Sequence, residues 1–303
     1  MKEVVVISGK GGTGKTSLAA SFASLNGTSV IADCDVDASD LHLVMSPEIK
    51  RLEPFKSGNE ASIRKDDCIG CGTCMDKCRF DAVHEIRRSG RESVFVIDSL
   101  SCEGCGVCVR LCPQDAIDFP ERTCGEWMVS ETRYGPMVHA RLAIGAENSG
   151  KLVSIVRNEA HRIAEEQNLS WVIIDGPPGI ACPVIASITG ASMVLIVVEP
   201  TLSGVHDMER VITLTEHFKI PTFVCINKWE LNPQIAGEIK RGATSAGASF
   251  AGMISYDSSV TAAQNKGIAV VEYGGPAAQD IRNVWQNIEK RMESIEAPTV
   301  IEV

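Results

Sequence analysis

The chain lacks any apolar run near the roughly 18 residues that can span a bilayer, and it lacks a basic excess: 39 acidic residues stand against 29 basic ones, a net charge of −10. The first lack predicts no stable membrane association. The second removes the electrostatic footprint for nucleic acid or an anionic membrane surface. The opening residues run straight into a structured motif and do not read as a secretory leader, so the expectation is a cytoplasmic protein. Without export, the 12 cysteines predict metal ligation and not a disulfide framework. Eight of them fall in two tight runs; Cys34, Cys124, Cys182 and Cys225 are scattered and read as ordinary buried thiols.

At 303 residues with 44% apolar content, the chain is long enough for about two domains with a real core. A strand over residues 4–8, a glycine-rich turn, a helix over 15–25 and a strand over 29–33 form a βαβ unit. Strands over 171–175, 193–198, 222–227 and 249–254 alternate with helices over 151–167, 203–218 and 233–246. Short apolar strands of this kind predict a mainly parallel sheet covered by helices, an α/β fold. Between the two halves the composition shifts to Cys, Gly, Asp and Arg. The organisation expected is 1–61 and 120–303 as two parts of one domain, with 62–119 as an insert. Residues 120–150 match neither pattern and read as a connector.

Gly9-Lys10-Gly11-Gly12-Thr13-Gly14-Lys15-Thr16 satisfies the phosphate-binding pattern G-x-x-x-x-G-K-[ST], after an apolar strand and before a helix. The backbone of Gly11, Gly12, Thr13 and Gly14, continuing through Lys15, Thr16 and Ser17, can cradle a phosphate chain. Lys15 can reach the outer phosphates and the Thr16 hydroxyl can meet Mg²⁺. Asp33, Asp35 and Asp37 follow the second strand, where a carboxylate can meet Mg²⁺ or an attacking water, while Asp37 reads equally as a turn cap.

With the extra Lys10, the loop resembles the deviant Walker A motif of the MinD, ParA, Mrp and nitrogenase iron-protein group. That resemblance implies ATP/ADP as ligand, slow and partner-dependent ATP hydrolysis, and a nucleotide-dependent homodimer in which Lys10 reaches phosphates bound by the other subunit. It assigns Asp35 to positioning the water. The segment Trp171-Val172-Ile173-Ile174-Asp175-Gly176-Pro177-Pro178-Gly179 resembles the group's Walker B strand and switch II, with Asp175 orienting Mg²⁺. Asn227 falls where the group contacts adenine, although an Asn at a strand end is also a common turn former.

Cys68, Cys71, Cys74 and Cys78 recur 34 positions later as Cys102, Cys105, Cys108 and Cys112, with Asp81 and Ala82 repeated as Asp115 and Ala116. The spacing matches the two-cluster bacterial ferredoxin, in which the fourth cysteine of each run ligates the other cluster. It therefore predicts two [4Fe-4S] clusters in a small α+β module, one on Cys68, Cys71, Cys74 and Cys112, the other on Cys102, Cys105, Cys108 and Cys78. Four-cysteine zinc sites are the alternative, but they commonly appear as separated C-x2-C pairs. Pro113 follows the second run, and Arg79 replaces it after the first. Loss of a cluster is expected to unfold so small a module.

As a whole the chain resembles MinD-superfamily P-loop ATPases with an inserted ferredoxin domain. Both ends of the insert return to the ATPase domain between the Asp35 loop and the Asp175 strand, which makes coupling between nucleotide and clusters the first expectation, with a redox protein as partner. An iron-sulfur carrier of the Mrp type, serving a cluster acceptor, is the second; full cysteine ligation favours retention over release. A MinD-like positioning ATPase is the third, and it needs a membrane-seeking C-terminal helix. Ile281, Val284, Trp285, Ile288, Met292 and Ile295 form an apolar stripe there, but its polar face mixes acids and bases, which predicts core packing. His139, His161, His206 and His217 share no ligand spacing and read as surface or core residues, while Glu199-Pro200 ends its strand near the expected nucleotide, a position a loop turn explains equally well.

Overall fold

The computed structural model describes residues 1–86, 93–143, 145–146 and 149–296. In chain order the first elements are β1 (Lys2–Ser8), α1 (Lys15–Asn26), β2 (Val30–Asp33), α2 (Leu41–Met45) and β3 (Glu48–Asn59). Next come β4 (Ser62–Ile63), α3 (Thr73–Lys77), β5 (Val83–Ile86), β6 (Val94–Ile97), α4 (Val107–Leu111) and β7 (Ile117–Asp118). The chain continues with β8 (Glu121–Thr132), β9 (Gly135–Leu142), α5 (Ser149–Glu166), β10 (Trp171–Pro178), α6 (Cys182–Ile188), β11 (Met193–Val198) and α7 (Leu202–His217). It closes with β12 (Thr222–Asn227), α8 (Pro233–Ser245), β13 (Ser249–Ile254), α9 (Ser258–Asn265), α10 (Val270–Tyr273) and α11 (Pro276–Glu296).

Two compact units result: residues 1–53, 127–142 and 148–303 form one, and 54–126 with 143–147 the other. The larger unit is built on a sheet of order β13-β12-β11-β1-β10-β2-β9-β8-β3. Neighbours from β13 to β9 run parallel. Buried on both faces, these strands carry continuous β-branched and apolar runs such as Val4-Val5-Val6-Ile7, all fully shielded. On one face Phe22 of α1, Trp171 of β10 and Trp285 of α11 stack with centroids 4.8 and 5.1 Å apart. Ile281, Val284, Trp285, Ile288 and Met292 of α11 are buried in that core, so the stripe faces the sheet; the Ile295 side chain lies outside the described residues. No helix among the described residues is long and apolar enough to cross a membrane.

Residues 120–150, read from the sequence as a connector, instead supply β8 and β9 to the main sheet. The two-residue link between these neighbours makes them antiparallel. Their alternation is masked by polar residues turned inward: Ser130 and His139 are buried and hydrogen-bonded to each other at 2.8 Å. Burial lowers the His139 pKa to about 4 and keeps its ring neutral.

The smaller unit repeats itself with the sequence period. β4 pairs with β7 and β5 with β6, both antiparallel. Arg64 donates its N–H to the Ala116 carbonyl at 2.8 Å, and 34 positions on, Asp98 donates to Ala82 at 2.7 Å. Gly70 and Gly104 also correspond: a Cβ on either would lie 2.5 and 2.2 Å from the carbonyl oxygens of Ser93 and Asn59, themselves 34 residues apart. Both glycines have φ in the left-handed region, +70° and +60°, so neither position accepts a side chain.

Candidate functional site

In the larger unit the loop after β1 turns back on itself and opens α1. Gly14 caps this helix at φ +96°, and a Cβ there would sit 2.6 Å from the Asn227 amide nitrogen, so only glycine fits. Gly11, Gly12, Gly14, Lys15, Thr16, Ser17 and Asp35 line a cleft of about 1150 Å³. Thr13 lies behind it, buried, with its hydroxyl unpartnered. A second cleft of about 850 Å³ shares Gly12, Gly14 and Ser17 and continues to Asn227, Lys228, Tyr256 and Asp257. A glycine-rich helix N-terminus opening into an elongated slot can hold a phosphate chain with a nucleoside beside it.

Lys15 is buried, with Nζ 3.7 Å from Asp35 Oδ2. Burial raises the Asp35 carboxyl above its ordinary value, and the Lys15 ammonium opposes that rise. Asp175 and Asp33 are partners in the register of β10 and β2. Asp33 accepts the Asp35 N–H at 3.1 Å and the Ser39 hydroxyl at 2.7 Å. Both carboxylate oxygens of Asp175, by contrast, are buried without a hydrogen bond of ordinary geometry, and the Lys15 ammonium and the Thr16 hydroxyl act on them favourably. A buried carboxylate so weakly satisfied, beside a threonine and a lysine at the cleft, is suited to a divalent cation or its water shell.

Burial, aided by the nearby Asp35 charge, pushes Asp175 up to about 7. Its folded state therefore holds a proton that the unfolded chain releases near pH 4, and the stability this contributes is lost as pH rises from about 4 through 7. Asp33 beside it is raised as well, by burial and by the Asp175 charge, and in magnesium-free buffer the melting temperature should fall over that window. Asp175→Asn should flatten the dependence; an unchanged slope in thermal melts across pH would refute this account.

The other expected residues are placed as follows. Lys10 turns to its own chain, with Nζ 3.7 Å from Glu199 Oε2 and 3.5 Å from the Thr201 hydroxyl. Glu199 also receives Lys228 at 2.7 Å, so this acid at the end of β11 joins two lysines and is more than a turn residue. Asn227, expected at adenine, lines the second cleft but commits its amide to the P-loop: Nδ2 donates to the Thr13 carbonyl at 2.8 Å and Oδ1 accepts the Lys228 N–H at 3.0 Å. Ser17 Oγ receives Gln264 Nε2 at 3.0 Å, a partner about which local spacing carries no signal. Asp37 is exposed. Among the scattered cysteines, Cys34, Cys124 and Cys225 are buried as read, but Cys182 at the start of α6 is exposed. It follows Gly179, whose left-handed φ of +91° turns the chain just after β10 ends at Pro178.

In the smaller unit the eight thiols gather in two sets. Cys68, Cys71, Cys74 and Cys112 line a space of about 360 Å³ with Ile63, Phe95 and Ile117. Cys78, Cys102, Cys105 and Cys108 line another of about 370 Å³ with Phe80, Val83 and Ile97. Each set takes three thiols from one run and the fourth from the other. Among the described residues no three His, Cys or acidic side chains close on a single ion. Four thiols converging from two runs with Cys-x2-Cys-x2-Cys spacing, beside largely apolar neighbours, suit an iron-sulfur group better than a single ion.

Residues 61–119 match the family model of a 4Fe-4S dicluster domain. The cell-division ATPase MinD of Pyrococcus furiosus superposes with a TM-score of 0.57 at 15% identity, covering 96% of this chain and 99% of that one. MinD of Pyrococcus horikoshii, solved with Mg-ADP, gives 0.57 at 16% identity over 98% and 99%. Fold and thiol sites together define a protein with the MinD/ParA P-loop fold and a 4Fe-4S dicluster domain. The uncharacterized protein MJ0578 of Methanocaldococcus jannaschii is 37% identical over 234 residues, 76% of this chain and 79% of that protein. The chain belongs to the same family as MJ0578.

Proposed function

We propose that this chain binds and hydrolyses ATP and uses nucleotide state to govern electron transfer through two [4Fe-4S] clusters, one on Cys68, Cys71, Cys74 and Cys112 and one on Cys78, Cys102, Cys105 and Cys108. The observation that carries the choice of electron transfer over cluster delivery is the exchange of the fourth thiol between runs. Releasing either cluster would break ligands held by both halves of the repeat. Retention suits a redox carrier.

In this reading residues 1–61 and 120–303 form the ATPase and 62–119 the redox insert. The loop backbone from Gly11 to Thr16 would hold the phosphates, Lys15 would neutralise their charge, and Thr16 and Asp175 would hold Mg²⁺. Mg²⁺ supplies charge neutralisation at the phosphates when bound. Asp35 orients the attacking water. The Lys10 contact with Glu199 is exchanged for the phosphates of a second copy when two nucleotide-loaded chains meet. The clusters supply one-electron chemistry to a redox partner protein.

An anaerobic redox titration followed by electron paramagnetic resonance, with and without MgATP, tests the coupling. A nucleotide-dependent shift in potential or signal is the expected result. Cluster signals indifferent to nucleotide would defeat it, and transfer of a cluster to an apo-acceptor would favour the carrier role.

A further inference from the structure

The pseudo-symmetric insert allows its two thiol sets to be compared position by position. The second residue after Cys71 is Thr73; its counterpart after Cys105, 34 positions on, is Val107. Thr73 Oγ1 lies 3.4 Å from Cys71 Sγ. A sulfur bound to iron has no proton to give, so the hydroxyl, free to rotate, becomes the donor. Both residues line their own thiol space. Val107 offers a methyl group at the same place. The first set also accepts the Ala116 N–H at Cys112 Sγ, at 3.3 Å.

Hydrogen bonds to cluster sulfurs stabilise the reduced, more negative state and are among the determinants of potential. The charges differ as well: Asp76 acts on Cys71 where its counterpart 34 positions on is Arg110, which opposes the hydroxyl's bias, while Lys77 and Glu103 line the second space together with opposite signs. We infer that Thr73 raises the potential of the cluster on Cys68, Cys71, Cys74 and Cys112 and draws the electron toward it against the Asp76 charge. This rests on the two-cluster reading above and deepens it: a single hydroxyl sets the two stations of the insert apart.

The test is a redox titration of the full-length, cluster-loaded protein without nucleotide, read by electron paramagnetic resonance after iron and sulfide are quantified. About eight iron atoms per chain are required; fewer would overturn the two-cluster reading itself and not the role of Thr73. Thr73→Val should lower the potential of one cluster alone by about 59 mV, a tenfold loss of preference for a one-electron couple. Thr73→Ser should keep the native value. Val107→Thr should raise the potential of the other cluster alone, which gives an independent reading if Thr73→Val fails to load. If Thr73→Val leaves both potentials unmoved, or Val107→Thr does, Thr73 does not set the two stations apart.

Discussion

Stripping iron anaerobically should unfold residues 54–126 while the parallel sheet of the larger unit stays folded. The two short helices that carry the central thiols, α3 and α4, bury no residue at all. What apolar burial the insert has comes from a few side chains such as Phe55, Ala82, Val83, Phe95, Ala116 and Ile117. So thin a core cannot offset the conformational entropy of its loops, and metal binding becomes folding energy. Hydrogen exchange read by mass spectrometry would show protection lost throughout the insert and retained in β1, β10 and β11. Persistent protection of the insert after complete iron removal would mean that the metal is an addition to a self-sufficient fold.

Lys15→Ala should weaken MgATP binding at least 100-fold, roughly 3 kcal/mol on the affinity scale. Its ammonium is buried at the phosphate cleft and faces one carboxylate at 3.7 Å, so its removal leaves Asp35 there without a counter-charge. Lys10→Ala should behave differently. Lys10 is directed to Glu199 and Thr201 of its own chain, away from its own cleft, and binding should stay within a few fold of wild type while hydrolysis is lost. Calorimetry with MgATP and a phosphate-release assay on both variants separate the two lysines. Normal turnover by Lys10→Ala would remove that residue from the hydrolysis step.

What the sequence made legible was what local spacing encodes. The P-loop, the strands over 193–198, 222–227 and 249–254, and the cysteine runs all follow from neighbours within a dozen residues. β3 was not legible because its residues are mostly exposed, and a strand with little buried face shows no alternation. β8 and β9 were hidden by the inward Ser130–His139 pair. Glu199 and Gln264 gain their meaning from Lys10, Lys228 and Ser17, partners far away in the chain, and only the packed sheet brings them together.

The insert also bears on how such proteins arise. It leaves the chain at the end of β3 and rejoins it at the start of β8, strands that are neighbours in the sheet, and Glu60 N–H meets the Pro120 carbonyl at 3.0 Å across the opening. Entry and exit are thus a single hydrogen bond apart, the geometry of an ordinary hairpin end. A lineage could acquire or discard the whole dicluster module by one recombination event, with a short turn closing the gap and no strand of the parallel sheet reordered.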